Sequence, residues 1–255
     1  MSTTLITGSS SGIGFELAKI CAKNGHNLVL VSRNKADLSS TVFKDVKVLN
    51  LSLDLSKPGA AQKLHSITQK EKVKIDILIN NAGFGDFNLF LDADSTKLNS
   101  MINLNVVALT ELTHTYAKDM KKQGGGKIMN LASTAAFLPG PYMATYYATK
   151  HFVLSLSEAL AEEFTQKNVP ITVTALCPGP TASKFQESSN MKASKLVKGK
   201  SLPTAQDVAE FGYEEMLKGT RVAIHKMDNK FKTFMPRVLP RKVVTKIVFK
   251  ASQPK

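Results

Sequence analysis

A chain of 255 residues that is 43% hydrophobic has the length and apolar content of one large α/β domain with a substantial core. Its two cysteines, Cys21 and Cys177, lie far apart, which argues against a disulfide framework or a metal cluster, and no run of about 18 apolar residues is present to span a membrane. The formal net charge is +14, and +8 of it falls between Lys226 and Lys255, where nine basic residues accompany one acid, Asp228. The amino terminus shows no basic n-region and no long apolar stretch, so a cytoplasmic protein is expected.

The first predicted strand, Thr4-Leu5-Ile6, runs directly into Thr7-Gly8-Ser9-Ser10-Ser11-Gly12-Ile13-Gly14, and a helical pattern follows from Phe15 to Ala22. Strand, glycine-rich turn and helix in that order suit a phosphate cradle, while the turn taken alone is equally read as a plain connection. Glycines permit positive φ and close approach to the backbone, and the helix start offers unpaired N–H groups to an anion. Three residues separate Gly8 from Gly12, so the spacing is not that of G-x-G-x-x-G.

Strand-like and helix-like segments alternate from there on. Strands are expected at 27–31, 46–50, 75–79, 127–131, 171–176 and 221–224, with helices at roughly 34–42, 57–71, 96–122, 146–167 and 205–218. That alternation predicts a seven-stranded parallel sheet covered by helices on both faces, in a single domain, with the glycine turn at the sheet's carboxyl edge.

The second strand ends in Ser32-Arg33-Asn34, about twenty residues past the turn, where an acid suits a ribose 2′-hydroxyl and an arginine suits a 2′-phosphate. No acid occurs before Asp37, and the guanidinium of Arg33 is a permanently charged fork for phosphate oxygens, so NADP(H) is expected over NAD(H). After the fourth strand, Asn80-Asn81-Ala82-Gly83 offers small and amide side chains for a flat slot. The fifth strand ends at Ser133, and thirteen residues on comes Tyr146, with Lys150 one helical turn beyond. A lysine at i+4 favours the phenolate and lowers the tyrosine pKa toward the range of a general acid/base. A serine hydroxyl across the cleft can stabilise charge developing on a carbonyl oxygen.

Thr7-Gly8-x-x-x-Gly12-Ile13-Gly14, Asn80-Asn81-Ala82-Gly83, Ser133, Tyr146-x-x-x-Lys150 and Pro178-Gly179 occur in the order and spacing of the short-chain dehydrogenase/reductase family, which the chain resembles from about residue 3 to 226. The resemblance implies a doubly wound, Rossmann-type fold. It implies a catalytic set in which Tyr146 gives a proton to a carbonyl oxygen as hydride arrives, Lys150 binds the nicotinamide ribose and Ser133 positions the substrate. Asn105, with Asn103 as a near rival, would hold a proton-relay water. The implied cofactor site is Gly8, Ser10, Ser11, Gly12, Ile13 and Gly14 in the turn, Arg33, the pair Asp54-Leu55 beside adenine, Asn81, Ala82, Gly83, Tyr146 and Lys150, then Pro178 and Gly179 over the nicotinamide. The family's carboxamide-contacting threonine falls on Ser183 here, with Thr181 two residues earlier. Tyr147 and His151 repeat the four-residue spacing one position on, but the distance from Ser133 favours Tyr146. No metal site is expected.

The resemblance extends to assembly, with the helices at 96–122 and 146–167 implying a homodimer or homotetramer. Phe84, Phe87, the stretch Ala136 to Met143, and Phe185 and Met191 in an expected lid at about 180–204 suggest an apolar pocket for a small-molecule carbonyl or its alcohol. The candidates are a lipophilic ketone or aldehyde, a 3-oxoacyl thioester or a steroid; a reading from another class is an NADP(H)-binding regulator or scaffold. Beyond a catalytic domain over 1–230, the basic tail 231–255 places Leu239, Val243, Val244, Ile247 and Val248 at helical spacing. It is expected to pack on its own or a partner subunit, or to lie on an anionic membrane. No base-reading element accompanies the charge, so nucleic acid is not an expected partner.

Overall fold

In the computed structural model, residues 1–183, 185–189, 191, 194 and 201–253 are described. The strands are β1 (Thr3–Thr7), β2 (Asn27–Ser32), β3 (Val48–Ser52), β4 (Ile77–Asn80), β5 (Gly126–Leu131), β6 (Ile171–Cys177) and β7 (Val222–Ile224). The helices are α1 (Gly12–Lys23), α2 (Ala60–Lys70), α3 (Ser95–Ile102), α4 (Leu109–Lys122), α5 (Ala144–Gln166), the single turn α6 (Phe185–Ser188), α7 (Ala205–Lys218), α8 (Met227–Phe234) and α9 (Arg241–Ser252).

All strand pairings are parallel, and the sheet order is β3-β2-β1-β4-β5-β6-β7. Side chains alternate between two buried faces, which is why the strands read as continuous apolar runs. Ile6, Leu28, Leu30, Ile79 and Met129 pack with Leu17 of α1 and Val208 and Met216 of α7. Leu5, Val29, Val31, Leu78 and Ile128 pack with Leu64 of α2, Leu112 and Tyr116 of α4 and Ala161 of α5. The order reverses between β1 and β4, so the crevice for a ligand opens at the carboxyl ends of these two strands.

Several local expectations change. No helix forms over 34–42; the segment is irregular up to one 3-10 turn at Thr41–Phe43. Asn50 takes over its backbone groups there, accepting from Ala36 N and donating to Ala36 O, and this local pairing competes with a helix. The third strand lies two residues later than its apolar pattern indicated. The helix expected over 96–122 begins at Ser95, capped by Asp94, whose side chain accepts from Thr96 N, and it is interrupted by a π-helical stretch, Asn103–Ala108. The basic tail expected from 231 holds α9, and a further helix, α8, straddles its start, beginning at Met227.

One buried polar joint fastens β1 to α7. Nδ1 of His26 meets Ser2 Oγ at 3.1 Å and Thr4 Oγ1 at 2.9 Å, and Nε2 meets Tyr213 OH at 3.1 Å. Burial pulls the His26 pKa below its ordinary 6.5, with the charge of Asp76 opposing. The unfolded chain therefore takes up this proton at a higher pH than the folded one, and stability is lost as pH falls from about 6.5. Denaturant titrations of the protein and of His26→Gln are expected to show a smaller acid-side loss in the variant.

Candidate active site

One cavity of about 650 Å³ follows the carboxyl edge of the sheet from Arg33 to Met191; of the apolar residues expected around the substrate it leaves out Phe87 and Ala136 to Tyr142, and of the expected catalytic and cofactor-binding residues only Gly14 and Asn105. Those two lie directly behind it. At its centre the glycine turn and the Asn81-Ala82-Gly83 stretch are built as one piece. Asn81 Nδ2 donates to Thr7 O at 2.9 Å and Gly8 O at 3.0 Å, while Thr7 Oγ1 accepts from Asn81 N at 3.1 Å and Ala82 N at 3.0 Å. Gly8 has φ +67, and a Cβ on it would come within 2.8 Å of Asn81 Nδ2. A Cβ on Gly14 would overlap both Asn81 Nδ2 and Gly8 O, neither of which is a free side-chain end. Gly14→Ala is therefore expected to lower unfolding stability by about 1–3 kcal/mol and to weaken dinucleotide binding, as read by denaturant titration and fluorescence titration with NADPH.

The turn fits a pyrophosphate. Helix α1 starts at Gly12; Ser11 makes no side-chain cap bond and the first turn holds no acid, so its leading N–H groups stay free for an anion. Ser9 Oγ is buried in the turn with no hydrogen-bond partner among the described residues. At the outer end Arg33 is exposed, its carbonyl accepting from Ser52 Oγ at 2.7 Å. Opposite it, burial works against the Asp54 carboxylate, but hydrogen bonds from Ser56 and the charges of Arg33 and Lys57 hold its pKa below the usual range. Leu55 is buried beside it.

At the inner end, Ser133 caps a 3-10 turn, Thr134–Phe137, its Oγ accepting from Ala135 N at 3.1 Å; Thr134 N donates to Pro178 O at 2.9 Å, tying this turn to Pro178-Gly179. Tyr146 and Lys150 lie on one face of α5, as their spacing requires. Lys150 Nζ donates to Leu131 O at 2.6 Å and sits 5.8 Å from the centre of the Tyr146 ring. Burial pushes the Tyr146 hydroxyl's pKa up, a hydrogen bond with Ser133 offsetting part of the rise. Burial also pulls the Lys150 ammonium down to about 8. The tyrosine shift is thus opposite to the one expected from the Tyr-x-x-x-Lys spacing. The ammonium is drawn to the strand carbonyl, and desolvation outweighs its influence on the ring.

The π-helical stretch sets the two asparagines in different surroundings. It turns Asn105 fully inward, where Oδ1 accepts from Phe84 N at 3.2 Å and Nδ2 donates to Phe84 O at 3.0 Å and Thr149 Oγ1 at 3.1 Å. Gly83 separates Asn105 from Lys150; a Cβ there would meet Asn105 Oδ1 at 3.0 Å and Lys150 Nζ at 3.6 Å. Asn103 is only half-buried. A second polar chain supports this end of the sheet: Asn80 Nδ2 donates to Thr113 Oγ1 and Asn130 Oδ1, both at 2.9 Å, and Asn130 Nδ2 donates to Ser157 Oγ at 3.0 Å.

Thr181 and Ser183 both line the cavity, but differently. Thr181 Oγ1 donates to Gly179 O at 2.9 Å, whereas Ser183 stands opposite the glycine turn, its Cβ 3.5 Å from where a Cβ on Gly12 would lie. The substrate end is apolar: Phe84, Met143, Tyr147, Phe185 and Met191 line it, with the Phe185 ring 5.4 Å from that of Tyr146. Phe87 is one layer back, stacked on Tyr142, which in turn stacks on Phe249 of α9, each pair 5.4 Å apart. Val244 and Val248 of α9 join the same cluster, so the tail packs on its own catalytic domain. His151 faces away from the chemistry, its Nδ1 donating to Tyr147 O at 2.9 Å. Most of the lid expected at about 180–204 lies outside the described residues.

Three contributors escaped the sequence reading. Thr149 sits between Tyr146 and Lys150, but only the fold turns it toward Asn105. Tyr147 looked like a competing register and proves to be a cavity wall. Asn229 of α8 lies against Gly179, 2.7 Å from where a Cβ would stand, and no sequence signal marked α8 at all.

Comparison with known proteins agrees with this fold. Residues 2–194 match the short chain dehydrogenase family. Three curated relatives are 30%, 33% and 32% identical, and the chain spans 65%, 68% and 70% of their lengths. Among solved structures, a short-chain dehydrogenase from Sphingobium yanoikuyae in complex with NADPH is 30% identical, with a TM-score of 0.79 over 94% of this chain and 97% of that one. The bulky-bulky ketone specific alcohol dehydrogenase from Comamonas testosteroni is 29% identical, with a TM-score of 0.77 over 93% and 92%. A 3-ketoacyl-(acyl-carrier-protein) reductase from Brucella melitensis complexed with NADH is 26% identical, with a TM-score of 0.74 over 88% and 94%. A doubly wound parallel sheet with a serine, tyrosine and lysine at one end of a dinucleotide-sized crevice defines a class of nucleotide-dependent oxidoreductases. This chain belongs to the short-chain dehydrogenase family.

Proposed function

We propose that the protein is an NADPH-dependent oxidoreductase that reduces a lipophilic ketone or aldehyde to its alcohol, or runs the reverse reaction. The observation that carries the reading is one continuous cavity, which joins a cationic end at Arg33 and Lys35 to Ser133, Tyr146 and Lys150 and closes on an apolar wall.

A dinucleotide held between the glycine turn and Lys150 would supply hydride to the carbonyl carbon, or take it up in the reverse direction. The chain's own residues manage the oxygen and its proton. Ser133 Oγ, fixed beside Pro178 O and Ala135 N, donates a hydrogen bond to the carbonyl oxygen as negative charge develops there. Tyr146, whose raised pKa keeps it protonated at neutral pH, is poised as the proton donor. Lys150 and Asn105 adjoin it around Gly83, where a hydroxyl or water can link them to solvent. Met143, Tyr147 and Phe185 exclude water from the reacting carbon and favour an apolar substituent over a charged one. The exposed Val107 and Phe152, on the helical faces around α4 and α5, suit assembly into a dimer or tetramer.

The test is dinucleotide oxidation over a panel of ketones and aldehydes of increasing bulk, run with NADPH and with NADH. Turnover that rises with apolar size and prefers NADPH is the expected result. Turnover with NADH alone overturns the cofactor assignment, and preference for small charged carbonyls overturns the substrate class.

A further inference from the structure

Helix α8 is built inside out. Its buried positions are polar: Asn229 Nδ2 donates to His225 O at 2.7 Å, and Thr233 Oγ1 donates to Asn229 O at 2.9 Å. Its outward positions are large and apolar, with Met227 74% exposed, Phe231 65% and Phe234 54%, and Val238 just beyond the helix 60%. Met227, Phe231 and Phe234 recur at i, i+4 and i+7, which aligns them in one stripe on α8, and Val238 follows past a 3-10 turn. Scattered exposed apolar residues need no explanation, but an ordered stripe on a helix whose inner face is polar marks a contact surface.

We propose that this stripe docks the protein on an anionic lipid bilayer. The charge around it selects that occupant. Lys226, Lys230, Lys232 and Arg237 are all exposed alongside it. The one acid of the last thirty residues, Asp228, is already paired with Lys232 at 2.7 Å. A second copy of the chain is disfavoured, because a two-fold contact through the stripe sets two segments of +8 face to face. Phospholipid headgroups of negative charge instead attract the lysines while the phenylalanines enter the interface. The attachment is peripheral, since no helix among the described residues is long and apolar enough to cross a membrane. The inner face of α8 carries Asn229 against Gly179, so docking brings the bilayer within about one helix diameter, ~10 Å, of a loop that lines the cavity.

The experiment is co-sedimentation of the full chain with vesicles of phosphatidylcholine alone and of phosphatidylcholine with phosphatidylglycerol, at low and high salt, for the unmodified protein and for Phe231→Ser/Phe234→Ser. Both substituted side chains are exposed, and circular dichroism with thermal melting verifies that the variant is folded. The expected result is binding to the anionic vesicles only, reduced by salt and cut about tenfold or more in the variant. Equal binding by both proteins, or none by either, overturns the proposal. A dimer in sedimentation velocity that dissociates in the variant overturns it in favour of a second copy. NADPH-dependent turnover is measured on the same samples, so a failure of docking is told apart from a failure of the enzymatic reading.

Discussion

Tyr146→Phe is expected to lower kcat/KM for carbonyl reduction by about 10²–10⁴-fold, the scale of a lost general acid, while NADPH affinity stays within about twofold. The substitution removes one hydroxyl and keeps the ring, so the packing against Phe185 and Tyr147 survives. Desolvation already disfavours the phenolate at this position. Removing a hydroxyl that burial keeps neutral leaves no buried charge behind, so fold and cofactor site are spared. Stopped-flow dinucleotide oxidation and a fluorescence titration with NADPH measure the two quantities separately. A variant that turns over like the unmodified protein sinks the assignment of Tyr146 as proton donor. A variant that loses both activity and NADPH binding points to a structural role.

Arg33→Ala is expected to raise the dissociation constant for NADPH by about ten- to a hundredfold, the loss of a charge-assisted phosphate contact, and to leave NADH binding nearly unchanged. Arg33 stands at the outer rim of the cavity, where β2 ends beside the crevice between β1 and β4, and its side chain is exposed. Its backbone carbonyl, not its guanidinium, is tied to β3 through Ser52, so truncation leaves the loop anchored. Lys35 lines the same end and supplies a second cation, which makes Arg33→Ala/Lys35→Ala the stronger form of the test. An NADPH-to-NADH affinity ratio that does not move in the double variant removes the argument for the 2′-phosphate.

The two substitutions sit at opposite ends of a single crevice, and they differ in how visible their surroundings are in the linear chain. Around Gly8 and Gly14 the local pattern is nearly sufficient: strand, turn and helix follow without a spacer, and the glycines are required by contacts to the adjacent Asn81 stretch. Arg33 was legible as the residue that follows β2 even though the next residues do not form the expected helix, because its place at the sheet edge depends on the strand. At the catalytic end, spacing placed Tyr146 and Lys150 on one helix face but misjudged their electrostatics. Desolvation belongs to the surroundings, and these come from β5, the π-helical stretch and α6, distant in sequence. Asn105 was preferred over its near rival Asn103 by the family resemblance alone; one extra residue in the helical turn rotates Asn105 inward.

The basic tail shows the same division. Its charge, its helical periodicity and its apolar content are properties of composition and order. Which apolar residues are covered is not: Val244 and Val248 close over Met143 and Tyr147, whereas Met227, Phe231 and Phe234 remain outward because the inner side of α8 is needed by Gly179. By itself, then, the sequence determined the parallel sheet, which follows from two-sided burial, and it offered the glycine turn and the serine, tyrosine and lysine set through their joint resemblance to one family rather than through any one spacing. Only the tertiary structure decided the inward asparagine, the raised tyrosine, the apolar wall shared with the tail and the outward face of α8, since each depends on desolvation and contact between segments far apart in the chain.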